Sequence, residues 1–273
     1  MLGSDVVARL LKQGIEPLTI ERGDLDLADS NACRAALDGA QVVVNCAAYT
    51  AVDDAETHED EAFAANAIGA ANLARAAEGA GARLVHVSTD YVFDGNATEP
   101  YDETAAPAPC GAYGRTKVAG EWAVAASGGD HITVRTAWLY GAHGANFPRT
   151  IAKLARERGA VDVVNDQLGQ PTWTADVADT ILRLVEARAA RGVYHVTSAG
   201  ATTWFGFARE VVAAAGLDPA IVRPTTSERF VRPAARPAYS VLGSVAVRRA
   251  GVAPIDDWSR RWIVAARSVL AGS

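Results

Sequence analysis

Apolar positions along the first half of the chain fall into two alternating rhythms. Val6, Val7, Leu10 and Leu11 recur at helical spacing, and Gly14 ends that run as a left-handed cap would. Residues 18–20 form a short apolar run that predicts a strand, 32–37 predict a short helix, and 41–44 predict a buried strand. Residues 59–78 are periodic at helical spacing, with Phe63, Ile68 and Leu73 as the inward positions. A strand at 84–87, a helix at 116–126 and a strand at 132–134 follow. Short apolar strands separated by helices predict an α/β fold: a doubly wound parallel sheet covered on both faces. Ligands of such sheets bind at the carboxyl ends of the strands, so the residues just after each strand are the ones to inspect.

Beyond residue 145 the rhythm loosens. A helix is predicted at 147–158 and a strand at 161–164. Thr174 is expected to cap a helix with Val177, Ile181, Leu184 and Val185 on its apolar face. Asp176 and Asp179 then lie near its positive end and Arg188 near its negative end. Residues 193–196 return to the parallel-strand style, 204–215 and 255–270 read as helices, and 223–237 are rich in Pro and Arg and irregular. There are no repeats. The pattern describes one large α/β part with a smaller, interleaved carboxyl-terminal part.

Composition removes several function classes. The chain has 273 residues and a formal charge of -6, which argues against a nucleic-acid partner. With 49% hydrophobic and 21% charged residues the composition is that of an ordinary globular protein. No apolar run is long enough for a membrane span, and the first residues lack the pattern of a secretory signal. Cys33, Cys46 and Cys110 are far apart, which excludes a disulfide framework and fits a reducing cytoplasm. The five histidines show no metal-ligand spacing; His86 and His195 lie in strand patterns and are expected to be satisfied core residues. No catalytic metal is expected.

The strongest chemical signal is Tyr113-Gly114-Arg115-Thr116-Lys117. On a helix, positions four apart share a face, so the lysine ammonium can stabilise a phenolate and bring the tyrosine pKa toward neutrality. The competing reading is an exposed helix pair. Lys117 is, however, one of only three lysines, with Lys12 and Lys153. Ser88-Thr89-Asp90-Tyr91 directly follows a predicted buried strand, and Thr89 stands 24 positions before Tyr113. A hydroxyl there can share a substrate oxygen with the tyrosine.

This combination resembles the extended short-chain dehydrogenase/reductases. Several longer blocks resemble, more narrowly, the dTDP-4-dehydrorhamnose reductases. They are Asn45 to Glu56, Ser88 to Gly95, Arg135-Thr136-Ala137-Trp138-Leu139-Tyr140-Gly141, Asn165 to Thr172 and Arg236 to Leu242. The resemblance implies a Rossmann dinucleotide-binding part at 1–145 and 174–198, and a substrate-binding part at 146–173 and 199–273. It implies NADPH-dependent reduction of dTDP-4-dehydro-L-rhamnose to dTDP-L-rhamnose by a cytoplasmic monomer or homodimer. Tyr113 would be the proton donor, Lys117 its pKa modulator and ribose anchor, and Thr89 the carbonyl orienter. Asp90, Tyr91 and Trp138 match substrate-contacting positions, although Trp138 by itself reads as a core aromatic. Asp26 and Leu27 resemble the adenine-binding element; Asp26 is equally well placed as a turn acid capping the following helix. Ala47 and Ala48 resemble the small residues that let a dinucleotide approach the backbone, with helix–sheet packing as the alternative. Some family members are described with a magnesium-bridged dimer; nothing in this sequence supports magnesium.

The fold should open with a strand and a glycine-rich turn whose amides hold the pyrophosphate. Here the chain begins at Met1-Leu2-Gly3, with Gly3 in the place of the last fingerprint glycine. The expectation is a sheet lacking its first strand, a true start upstream of Met1, and weak NADPH binding by the 273-residue chain. Glu21 and Arg22 pull cofactor choice in opposite directions, toward NADH and NADPH. Two other functions stay open. One is a related nucleotide-sugar reductase, dehydratase or epimerase. Dehydratases of the superfamily carry Asp-Glu after the active-site Thr, where this chain has Asp90-Tyr91. The other is a non-catalytic NADP-binding subunit, since the regulatory subunit of methionine adenosyltransferase is similar to these reductases.

Overall fold

The computed structural model describes residues 1–271; residues 272 and 273, the end of the expected second part, lie outside the described residues. Helix α1 (Leu2–Lys12), helix α2 (Ser30–Ala36) and strand β1 (Val42–Asn45) come first. Helix α3 (Glu59–Phe63) continues through a π-helical turn (Ala64–Ile68) into α4 (Gly69–Ala80). Strand β2 (Arg83–Thr89), helix α5 (Ala112–Ala126) and strand β3 (His131–Thr136) follow. The middle of the chain holds β4 (Leu139–Tyr140), α6 (Phe147–Arg158), β5 (Val161–Val164), β6 (Leu168–Gly169), β7 (Thr172–Trp173), α7 (Thr174–Glu186) and β8 (Gly192–His195). The tail holds β9 (Ser198–Ala199), β10 (Thr202–Thr203), α8 (Trp204–Ala214), β11 (Val222–Thr225), α9 (Val245–Arg249), β12 (Ile255–Asp257) and α10 (Trp258–Leu270).

The main sheet is parallel, in the order β1-β2-β3-β8. Its central strands are buried on both faces because both faces are covered. Val85, Ile132 and Val134 pack with Leu2 and Val6 of α1 and Val177, Ile181 and Leu184 of α7. Leu84 packs with Leu73, Ala74 and Ala77 of α4 and Val124 of α5. A second core gathers Tyr140, Ile151, Phe207 and Trp262, joining α6, α8 and α10. Beside it, β5 pairs in parallel with β11, so residues 223–225, expected to be irregular, belong to a strand. Residues 255–257, expected to open a helix, form a strand instead, and the helix begins at Trp258.

Three local expectations are corrected. Residues 18–20 form no strand, and Leu18 is 82% exposed. A strand exists only by pairing its backbone groups, and no described strand lies outside β1 to receive them. Phe63 and Ile68 point outward, while Leu73 is buried as expected. Ala62 takes the inner position of α3, and the π turn then shifts the helical phase, so that Asn66 and Ala67 face inward instead. Thr174 is the first residue of α7 and Trp173 its N-cap; the Thr174 hydroxyl donates to the Tyr140 carbonyl at 3.1 Å. Gly14, by contrast, has φ +77° and closes α1 with its amide on the Leu11 carbonyl, the stop that the pattern predicted.

Candidate active site

Helix α5 starts four residues earlier than the pattern suggested, at Ala112, and so takes in Tyr113. The Ala112 amide donates to Glu56 Oε1 at 2.8 Å, which fixes where the helix begins. Two residues on, the position must be glycine. A Cβ on Gly114 would stand 2.3 Å from the Tyr91 carbonyl oxygen, so the helix is seated directly on the turn after β2. That turn carries Asp90 and Tyr91, and Thr89 is the last residue of β2. The Tyr91 and Tyr113 rings meet edge to face at 5.8 Å. One helical turn on, Lys117 is 1% exposed and its Nζ donates to the Val87 carbonyl at 2.7 Å. A lysine so buried is no exposed helix pair. Thr89, Asp90, Tyr91, Tyr113 and Lys117 therefore converge at the carboxyl end of β2.

Burial pushes the Tyr113 pKa up to about 12; neighbouring Asp90 adds to the rise, and a hydrogen bond with the Thr89 hydroxyl works against it. Burial pushes Lys117 down to about 8, opposed by Glu121 and Cys46. Asp90 rises to about 6, again through burial, against hydrogen bonds from Ser240 and Thr89. The expected lowering of the tyrosine pKa by Lys117 is thus corrected: burial, reinforced by Asp90, raises it, and the amine donates to the Val87 carbonyl. Tyr113 holds its proton across the neutral range. That is the form a proton donor needs.

Trp138 comes two residues after β3 with φ +46°, a backbone conformation that a bulky residue adopts only when its surroundings hold it. Its ring lies flat on Trp204 of α8, centroids 3.6 Å apart. Gly169 lies so close that a Cβ there would be 2.4 Å from the indole. Trp204 itself packs against the second core, so the stack holds the Trp138 ring as a wall of fixed orientation after β3.

The residues expected to meet a dinucleotide lie around β1 and α1. Gly3 is in the first turn of α1, whose amino end has no side-chain cap. Such an end presents free N–H groups to an anion. Ala47 is exposed just past β1, with its amide donating to Asn45 Oδ1 at 3.0 Å; Ala48 follows. Asp26 closes its own turn by accepting from the Ala28 amide, whereas Asp29 caps α2, which removes the capping alternative for Asp26. The Leu27 carbonyl is held by Asn72 Nδ2 at 2.8 Å. A free helix end, small residues after β1, an ordered loop and a buried ammonium are the donor set that a pyrophosphate, an adenosine and a ribose require, and they fit NADPH.

Sequence reasoning missed the polar residues that hold these pieces. Asn66, in the π turn, accepts the Tyr49 amide at 2.8 Å and donates to Thr116 Oγ1 at 3.0 Å, which ties the Ala47–Ala48 loop to α5. A polar residue within an alanine-rich helical run was the available signal. Asn72 gave the same signal. Of the two histidines, His195 is partnered by the Gly243 carbonyl and Arg135, but His86 pairs only through Nδ1 with Asn45, its Nε2 being unpartnered. Among the described residues no three His, Cys, Asp or Glu side chains are grouped to hold a metal, and no helix is long and apolar enough to cross a membrane.

Residues 1–267 match the family model described as the RmlD substrate binding domain. The chain belongs to this family, that of the dTDP-4-dehydrorhamnose reductases. It is 48% identical over 262 residues to a dTDP-4-keto-6-deoxy-D-glucose reductase of Streptomyces niveus, covering 95% of this chain and 91% of that one. The dTDP-4-dehydrorhamnose reductase of Mycobacterium tuberculosis is 44% identical over 262 residues, 94% of this chain and 86% of the relative. The solved structure of the dTDP-4-dehydrorhamnose reductase of Bacillus anthracis, in complex with NADP, superimposes with a TM-score of 0.92 at 36% identity, covering 96% and 95% of the two chains.

Proposed function

We propose that this protein catalyses the NADPH-dependent reduction of dTDP-4-dehydro-L-rhamnose to dTDP-L-rhamnose. The observation that carries the reading is the convergence of Tyr113, Thr89 and the buried Lys117 at the end of β2. NADPH supplies the hydride that reaches carbon 4 of the sugar. The Tyr113 hydroxyl gives its proton to the oxygen on that carbon, and Thr89 orients the same oxygen. Lys117 anchors the nicotinamide ribose and is a cation close to the developing alkoxide. Gly3, Asp26, Leu27, Ala47 and Ala48 bind the rest of the dinucleotide, and Asp90, Tyr91 and the Trp138 wall receive the sugar. Residues 1–145 with 174–198 then serve as the cofactor part, and 146–173 with 199–273 as the substrate part. The free thiols suit a cytoplasmic enzyme.

A second sugar is a specific alternative, because the 48% identical relative is named for a 4-keto-6-deoxy-D-glucose substrate. Elimination chemistry is disfavoured by Tyr91, an apolar-bodied phenol where a dehydratase places a second acid. Tyr113→Phe removes only the proton donor and is expected to lower kcat about a hundred- to ten-thousand-fold with cofactor affinity retained. Assaying both keto sugars with the parent chain and this variant tests the reading. Absence of turnover in the parent, with NADPH bound, would instead support the non-catalytic subunit.

A further inference from the structure

Behind Lys117 lies a buried ion pair that the catalytic roles above do not use. Glu121, one further turn along α5, is 6% exposed and Arg135 of β3 is 3% exposed. Arg135 donates to both oxygens of Glu121, Nη2 to Oε2 at 2.6 Å and Nε to Oε1 at 2.9 Å. The Ser88 hydroxyl, on the residue before Thr89, donates to the same Oε1 at 2.5 Å. Tyr113, Lys117 and Glu121 are spaced four apart on one helix and share a face. A single carboxylate thus joins the helix that carries Tyr113 and Lys117 to the strand ends that carry Thr89 and Arg135.

We propose that Glu121, clamped by Arg135 and Ser88, is a positioning residue that keeps Lys117 charged and aligned with Thr89 for the reduction. The inference rests on the reductase reading for its kinetic consequence. A buried ammonium is unstable without an opposite charge, and burial already draws Lys117 down to about 8. The charged and titratable groups around it are Tyr113 and Glu121 on its own helix, Cys46 after β1 and His86 on β2. Of these, Glu121 and Cys46 favour the ammonium, Glu121 the more strongly. Arg135 fixes the Glu121 carboxylate and is itself faced by His195 of β8 at 3.4 Å and by the Phe93 ring.

The deciding measurement needs neither substrate nor cofactor. With only Lys12, Lys117 and Lys153 in the chain, selective nitrogen-15 labelling of lysine resolves the Lys117 ammonium for direct titration by NMR. Glu121→Gln keeps the shape and is expected to lower the Lys117 midpoint by about one unit or more, leaving Lys12 and Lys153 in place. The alkaline limb of kcat/KM should move down with it. Since Arg135 is left facing an amide, that variant can fail to fold; the neutral pair Glu121→Gln with Arg135→Gln then decides, with a smaller downward shift expected because the Arg135 charge leaves with the carboxylate. An unmoved Lys117 midpoint in either folded variant overturns the proposal. A parent chain without turnover would count against the reductase reading alone, because the titration stays readable.

Discussion

The two sides of strand β2 are built to different standards. Toward β3, Lys117, Glu121 and Arg135 are almost without solvent, and each has a partner at 2.5–2.9 Å. Toward β1 the sheet opens: Val42 and Ala47 are exposed, and residues 15–20 lie outside any ladder. The loop at 26–29 is tied down by Asn72 and by its own turn. Proton transfer to a defined oxygen requires placement within a fraction of an ångström, which rigid strands and a seated helix supply. A long ligand held by many backbone contacts tolerates looser walls. The contrast implies that substitutions toward β3 act on stability and chemistry together, and that those toward the β1 edge act weakly on stability.

The largest effect is expected at Arg135. Arg135→Met leaves the Glu121 carboxylate buried and unpaired, a defect that costs about 3–5 kcal/mol. Thermal or urea melts measure it, and a loss below about 1 kcal/mol would show that Glu121 escapes to water and that the β3 side is softer than described. Gly120→Ala comes next. A Cβ at Gly120 would stand 2.1 Å from the Asn66 carbonyl oxygen in the π turn, and backbone cannot swing aside. Alanine gains about 1 kcal/mol over glycine in helix propensity, whereas forced overpacking costs about 1–3 kcal/mol. The clash should win, with a net loss of stability; a stabilised variant would mean that α5 and the π turn part easily.

Asp90 gives a pH test on the same side. Its folded pKa of about 6 lies above the ordinary 3.8, so the folded protein binds a proton that the unfolded chain has lost between those values. Stability contributed through this group therefore falls as pH rises from about 4 to about 6 and remains reduced above that. Asp90→Asn removes the dependence and should melt higher than the parent at pH 7.5, by the equivalent of about 1–3 kcal/mol. Its sugar reduction should be impaired. Parallel pH profiles for the two proteins would remove the buried charge from Asp90.

What the sequence revealed and what it hid follow the same division. Helix α6 and strand β5 were legible to the residue because their signals are local: apolar spacing, Asn146 as a cap accepting from Arg149, and Gly159 as a left-handed stop. Tyr113 and Lys117 were legible because four-residue spacing on a helix is also local. The pairing of Glu121 with Arg135 and of Trp138 with Trp204 was hidden, because residues 14 and 66 positions apart meet only through tertiary folding. Direction was hidden too. Spacing set the lysine beside the tyrosine, but burial, with Asp90 adding to it, decided which way the tyrosine pKa moved. Ile68 was misread because the extra residue of the π turn rotates the helical phase, and Phe63, which precedes that turn, because Ala62 takes the inner position of α3.

The smallest expected effect completes the contrast. Leu18 sits in an apolar tripeptide whose pattern alone predicts a strand, yet its side chain is 82% exposed and its backbone joins no ladder. Leu18→Ser removes apolar surface that is already in water, so little transfer free energy is lost, and surface changes of this kind stay within about 0.5 kcal/mol. Ile132 is a residue of similar size in β3 with no exposure. Ile132→Ala vacates a packed site between α1 and α7 and should cost about 2–5 kcal/mol. Measured side by side in urea, the two variants should differ by several-fold in their effect on stability, with equal m-values if both leave the same core to unfold. A Leu18→Ser loss as large as that of Ile132→Ala would place residues 18–20 in a packed sheet in solution, and the open edge beside β1 would then have to be redrawn.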